Sequence, residues 1–201
     1  MALNFANNNS LSSITALPAS ISGGGLNLIS TQTASGSSSL SFTSGINSTY
    51  KEYVFKFYNI HPASDAVSFQ FNGSTDSGSN YNVTKTTTVF EAYHLENDTQ
   101  TGLGYDTNND LAQSTAYKNL AVSIGNDNDQ TCSGYLHIFE PSNDTFVKHF
   151  ISTNNNAVSS DYSIARYNAG YFNTTSAINA IDFKMSSGNI DSGVIKLYGV
   201  S

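Results

Sequence analysis

INAIDFKMSSGNIDSGVIKLYGV, residues 178 to 200, decides the fold because it states one pattern twice. In the first half Ile181, Phe183 and Met185 share one parity, and Ala180, Asp182 and Lys184 take the other. In the second half Ile195 and Leu197 flank Lys196. A strand throws successive side chains to opposite faces, so each half reads as a strand with one apolar and one wet face. The Ser/Gly/Asn/Asp loop between them, with Gly188 and Gly193, marks an antiparallel return. The phrase recurs as VFKF around Lys56 and, less cleanly, as FVKH around Lys148. It assigns Phe55, Phe57, Phe69, Phe71, Ile181, Phe183, Ile195 and Leu197 to a core. Lys56, Lys184 and Lys196 are left facing water or a subunit boundary.

Outward from this stretch, strand signals fall at 26–33, 39–44, 52–60, 67–74, 87–96, 119–126, 132–141, 145–155 and 163–174. With the opening pair that makes about eleven strands and no amphipathic helix, the spacing of a sandwich or jelly roll. The expected fold is all-β: one antiparallel β-sandwich of jelly-roll type over residues 26–201. Residues 97–118 lack alternation and read as a long loop, with a helical turn around 111–117. Residues 1–25 carry sparse apolar positions (Leu3, Phe5, Leu11, Ile14, Leu17) ahead of Gly23-Gly24-Gly25. They read as an extended attachment arm with a glycine hinge.

The chain of 201 residues is acidic, with a net charge of −7 and a pI near 4.7. Nucleic acid and anionic membrane both select a basic surface, so neither is an expected partner. Charged residues are only 11% of the chain, which leaves Ser, Thr, Asn and Gly to cover the surface. Cys132 stands alone, so no internal disulfide forms, and a lone strand cysteine reads as a small core residue. The N-terminus has no basic segment followed by an apolar run, and nothing approaches a membrane span. Synthesis and folding in a host cytoplasm are the expectation.

Three groups of residues invite chemistry. Asp106, Asn108 and Asp110 have the alternating oxygen ligands of a calcium loop, and Asp127 and Asp129 form a second acidic cluster. Position twelve of the first is Tyr117 and position six is Leu111, so the EF-hand pattern fails. Solvated acidic turns are the expected reading, with no metal and no other cofactor. Glu91, Glu96 and Glu140 lie on or beside strands, where a carboxylate pair would suit glycoside hydrolysis, but nothing sets their separation. The four histidines show no paired metal spacing, and no nucleophile elbow, P-loop or dinucleotide motif occurs. The third group is aromatic: twelve Tyr and twelve Phe without a Trp. Amphipathic tyrosine is favoured at protein interfaces and on sugar-binding surfaces. Tyr105, Tyr117, Arg166, Tyr167, Tyr171 and Phe172 are the candidates for a subunit or glycan contact.

The blocks ISTQTASGSSSLSFTSGINSTYKEYVFKFYNIHP (29–62) and TTSAINAIDFKMSSGNIDSGVIKLYGV (174–200) resemble small virion proteins of tailed phages of marine cyanobacteria. FVKHFIST (146–153) and SNYNVTKTTT (79–88) look like further pieces of that pattern, and the opening MALNF is similar to the start of many tail-fibre proteins. The resemblance implies a non-enzymatic structural part of a particle: a tail-fibre or tail-associated protein, or a capsid decoration. It brings no catalytic residues. The implied partners are other capsid or tail proteins, in a homotrimer attached by the arm at the virion surface. The alternative is a carbohydrate-binding module that recognises host surface polysaccharide at a fibre tip.

Overall fold

The computed structural model describes residues 25–201, so the arm residues Leu3, Phe5, Leu11, Ile14 and Leu17 lie outside the described residues. Thirteen strands are found among the described residues, and no helix. They are β1 (Leu26–Ser37), β2 (Leu40–Phe42), β3 (Glu52–Pro62), β4 (Val67–Ser74), β5 (Lys85–Leu95), β6 (Thr101–Tyr105) and β7 (Leu111–Ser114). Then follow β8 (Lys118–Ile124), β9 (Cys132–Phe139), β10 (Lys148–Val158), β11 (Tyr162–Phe172), β12 (Ala180–Met185) and β13 (Ile190–Val200). The opening stretch forms β12 and β13, but they do not pair as a hairpin: β12 lies between β4 and β2, and β13 between β1 and β3. Two strands, β6 and β7, occupy the span 97–118 that reads from sequence as loop. Leu111–Ser114 is extended, not the expected helical turn.

Every pairing is antiparallel. The main path runs β1-β13-β3-β9-β10-β8-β4-β12-β2. Its two ends come back together, where Gln32 Nε2 of β1 donates to the Ser41 carbonyl of β2 at 2.6 Å. The sheet is thus nearly closed into a barrel. A branch leaves it at β10, which pairs β11 along its full length; β11 then pairs β5, and β5 pairs β6 and β7 in turn. The branch consists of β11 and β5–β7, laid out from β10 on one side of the barrel.

Parity decides what lies inside. Phe55, Phe57, Phe69, Phe71, Ile181, Phe183, Ile195 and Leu197 are all fully buried. Phe183 sits at the centre of their rings, 5.2 Å from Phe55 and 5.7 Å from Phe69 between centroids. Burying each such side chain is worth roughly 1.5–3 kcal/mol, so this cluster supplies much of the drive to fold. Cys132 is buried in it, and that burial pushes its thiol up, away from the reactive thiolate. Under the branch the interior changes character: β10 and β11 turn Ser152, Asn154, Asn156, Arg166 and Asn168 inward, all buried. These asparagines cap the edge of β8. Asn154 and Asn168 donate to the Leu120 carbonyl at 2.8 and 3.3 Å, and Asn156 to the Val122 carbonyl at 3.0 Å. β8 pairs β10 only at Ile124–Val158, and along the rest of that edge side-chain amides take the place of the ladder.

Lysines divide in the same way. Lys56 and Lys196 are half-buried register partners, each with its ammonium 5.9 Å from a diagonal tyrosine ring, Tyr198 and Tyr58. Lys184 lies 4.2 Å over Tyr117. Lys148 departs from its sequence phrase. It shares parity with Phe150, points inward, and is fully buried with its ammonium on the carbonyls of Phe146 and Thr174.

Candidate functional site

The inserted strands carry two surfaces, one on each side. On the outer side the register places one side chain per strand in a row: Tyr105 (β6), Phe90 (β5), Tyr167 (β11), Thr153 (β10), Tyr135 (β9) and Lys56 (β3). Strand spacing near 4.8 Å brings neighbouring rings into contact. Phe90 and Tyr167 stack with centroids 4.9 Å apart and planes within 9°. Tyr105, Phe90, Tyr167 and Tyr135 all remain exposed, Phe90 at 48%. Stacked against each other across the strands, Phe90 and Tyr167 turn their edges rather than their faces to solvent.

The next rows continue the surface. Thr88, Ala169, Ile151 and His137 lie side by side, and Tyr171 pairs His149 beyond them, with ring centroids 6.1 Å apart. Small Ala169 leaves a shallow apolar hollow of about 430 Å³ between Ile151, Tyr171 and Thr88. Val54 points outward in this sheet and is still buried, flanked in register by His137 and Tyr198. The outer side is a broad aromatic face.

The other side of the β5–β6 hairpin is polar. Arg166, fully buried, donates from one NH group to Glu91 Oε2 and from the other to Asp106 Oδ2 at 2.9 Å. Asp106 also accepts from the Asn108 amide at 3.0 Å and from Asn109 Nδ2 at 2.7 Å. Burial alone would raise this carboxyl, but the bonds from Arg166, Asn109 and Asn108 outweigh it and hold it below the ordinary carboxylate range. Lys118 is buried nearby on the Asn109 carbonyl. Burial, aided by the Arg166 charge, pushes its ammonium down to about 7 against the pull of Asp106 and Asp110.

These positions revise several sequence expectations. Arg166 and Phe172 share even parity on β11 and point inward, Phe172 into the core, so neither can be a surface contact. Tyr167 and Tyr171, of odd parity, point outward on the same face as Tyr105, Tyr167 in its row and Tyr171 two rows away. Tyr117 lies across the barrel, half-buried, donating to Asp182 Oδ2 at 2.9 Å. Burial, then the Asp182 charge, push its phenol up. Asp106 and Asn108 bind within their own turn, and Asp110 accepts from the Tyr105 hydroxyl at 2.8 Å. The Asp127 carbonyl faces His61 Nε2 at 3.2 Å, and Asp129 lines a separate polar hollow. Among the described residues no group of three or more His, Cys, Asp or Glu side chains gathers as a metal set. Of the strand glutamates, Glu91 is held by Arg166 and Glu140 by Lys51 at 2.9 Å.

Comparison with protein-family models, curated proteins and solved structures gives no match. The site is therefore read from its geometry. Sequence reasoning singled out Tyr105, Tyr167 and Tyr171 by residue type, and it missed Phe90 beside them in the row and Ile151 in the next. The available signal was parity: on the strands read at 87–96 and 145–155, Phe90 and Ile151 are large apolar residues of opposite parity to the core residues Val89 and Phe150.

Proposed function

We propose that this chain is a non-enzymatic structural protein of a tailed-phage virion, assembled through the aromatic outer face of its inserted strands. The observation that carries the reading is the in-register row Tyr105–Phe90–Tyr167–Thr153–Tyr135. A monomer rarely exposes a contiguous apolar face of this kind, and aromatic residues are the ones enriched where subunits meet. Edge-on stacked rings offer their hydroxyls and rims to a second protein surface, whereas a sugar stacks on an open ring face. The occupant we assign is a sister copy of the chain, in a homotrimer, with other capsid or tail proteins completing the particle. The acidic, Ser/Thr/Asn-rich remainder suits display at a virion surface.

The strand order supports the same reading. With β5–β7 and β10–β11 set aside as insertions, four strands run β1-β13-β3-β9 and four run β2-β12-β4-β8. We read these as the two sheets of a jelly roll, a fold that recurs in viral capsid and lectin domains. That step is an argument from fold analogy and says nothing of individual residues. The resemblance of residues 29–62 and 174–200 to marine phage virion proteins points the same way. Reconstruction of the intact particle tests the proposal. The domain is expected in the density with Phe90 and Tyr167 covered by a neighbouring subunit; its absence from the particle, or that face bare to solvent, overturns it.

A further inference from the structure

We propose that the polar cleft beneath the β5–β6 hairpin binds a neutral saccharide. The inference does not rest on the assembly reading: Glu91 and Tyr93, which form the cleft's main wall, have the opposite parity to the aromatic row, and of that row only Tyr105 reaches the cleft's rim. Two neighbouring hollows of about 360 and 250 Å³ lie there and share Glu91 and Tyr93 in their walls. Together they approach the size that holds a small ligand.

The walls have the chemistry a sugar needs. Tyr93 lies flat against Gly102, where a Cβ would stand 2.5 Å from the ring, so only glycine permits this ring position. Its hydroxyl is held by Gln100 Nε2 at 3.0 Å, and Tyr162 meets it edge-on at 5.8 Å. Tyr93 is thus fixed on two sides, as a ring must be to receive the C–H face of a pyranose at low entropic cost. Beside it Glu91 and Asp106 are positioned by one buried guanidinium. Oxygens already oriented this way accept hydrogen bonds from vicinal hydroxyls without reorganising. Thr107 and Asn108 extend the polar wall. Ser123, on the far wall, holds a φ of 51°, a left-handed conformation that a non-glycine residue keeps only where the surroundings impose it.

Charge sets the class of sugar. Two carboxylates share one arginine, Asp110 stands close by, and the buried Lys118 ammonium is weakened by its own burial. The cleft is net negative, which disfavours uronates, sialic acids and sulfated glycans. Neutral hexoses and N-acetylhexosamines carry the hydroxyl donors that the acceptor-rich walls lack.

Gly104 provides the test. A Cβ there meets nothing within 4 Å and its backbone lies outside the left-handed region, so a side chain can start at Gly104 without a backbone clash; Gly104→Phe is expected to block the cleft with the fold kept, which an unchanged melting temperature checks. The full chain is examined by saturation-transfer-difference NMR against neutral hexose and N-acetylhexosamine oligomers and against uronate and sialylated oligomers. At least one neutral oligomer is expected to bind, with affinity falling roughly tenfold or more in Gly104→Phe, about the worth of one stacking contact with its hydrogen bond. The acidic oligomers are expected to stay silent, and Tyr167→Ala to leave binding unchanged. Silence from every neutral oligomer, equal binding of the acidic ones, or a signal that survives Gly104→Phe would overturn the proposal. A signal lost only in Tyr167→Ala would overturn it too, by moving the site to the outer face.

Discussion

The two outer faces of the barrel are built on different principles. Over β2, β12, β4 and β8 the outward side chains are polar and bind each other. Ser41 and Tyr117 donate to the two oxygens of Asp182 at 2.5 and 2.9 Å. Gln70 donates to Asn119 at 2.7 Å, and Asn72 reaches the carbonyls of Tyr81 and Thr115. That face is closed by loops of its own chain. Over β5, β11, β10 and β9 the outward positions include Phe90, Tyr167, Ile151 and Tyr135, large apolar side chains that remain exposed among threonines and histidines. The difference teaches that one sheet can be finished in two ways: the chain seals its polar face with its own loops, and it leaves the aromatic face uncovered, as the proposed assembly requires.

Both faces stand on one core, so the largest effect belongs to a residue beneath them. Phe183→Ala should cost about 3–5 kcal/mol, measured by denaturant unfolding. A loss below roughly 1 kcal/mol would mean that the aromatic cluster is not the common foundation. Asp182→Ala breaks the closed face. It strands the Ser41 and Tyr117 hydroxyls and should cost about 2–3 kcal/mol, whereas a neutral result would show that this face is ordinary solvated surface.

Buried lysines sharpen the contrast through pH. Lys85 lies under the loops of the closed face on the carbonyls of Val83 and Ala116, and burial pushes it down to about 7; Lys118 falls to about 7 as well. In the unfolded chain both titrate near 10.4, so between pH 7 and about 10 the unfolded state binds more protons and stability rises with pH. A gain on the order of 1–2 kcal/mol from pH 7 to 9 is expected, since the carbonyl acceptors retain part of each ammonium. Above about pH 10 the trend reverses, because the Tyr117 phenol, raised by burial, holds its proton longer in the folded state. Stability that falls steadily from pH 7 to 9 would contradict this placement of the lysines.

How far the sequence told this in advance follows from parity. Where inward residues are apolar, as in Val67–Ser74 and Ala180–Met185, alternation located the strands to within a residue or two. It missed β6 because Gly102 and Gly104 occupy the inward positions and Leu103 and Tyr105 the outward ones, inverting the usual signal. It could not reveal the buried Lys148, because an ammonium in that place depends on carbonyls at Phe146 and Thr174, and the second is 26 residues away. The aromatic candidates suffered from mixed parity: Arg166 and Tyr167 are adjacent, so one strand cannot offer both to the same surface. The cleft was illegible, since Glu91, Asp106 and Arg166 meet only when β5, β11 and the turn after β6 are brought together.

The smallest effect on stability should accompany the largest effect on assembly. Phe90→Ser with Tyr167→Ser removes the stacked pair and should cost about 1 kcal/mol or less in the monomer, given that both rings are already half in water. Sedimentation velocity on the full chain, wild type beside this double variant, therefore tests the shared-face claim most directly. The wild type is expected to sediment as a trimer and the variant as a folded monomer with nearly the same melting temperature. A wild type that stays monomeric at high concentration, or a variant that still forms the trimer, would contradict it.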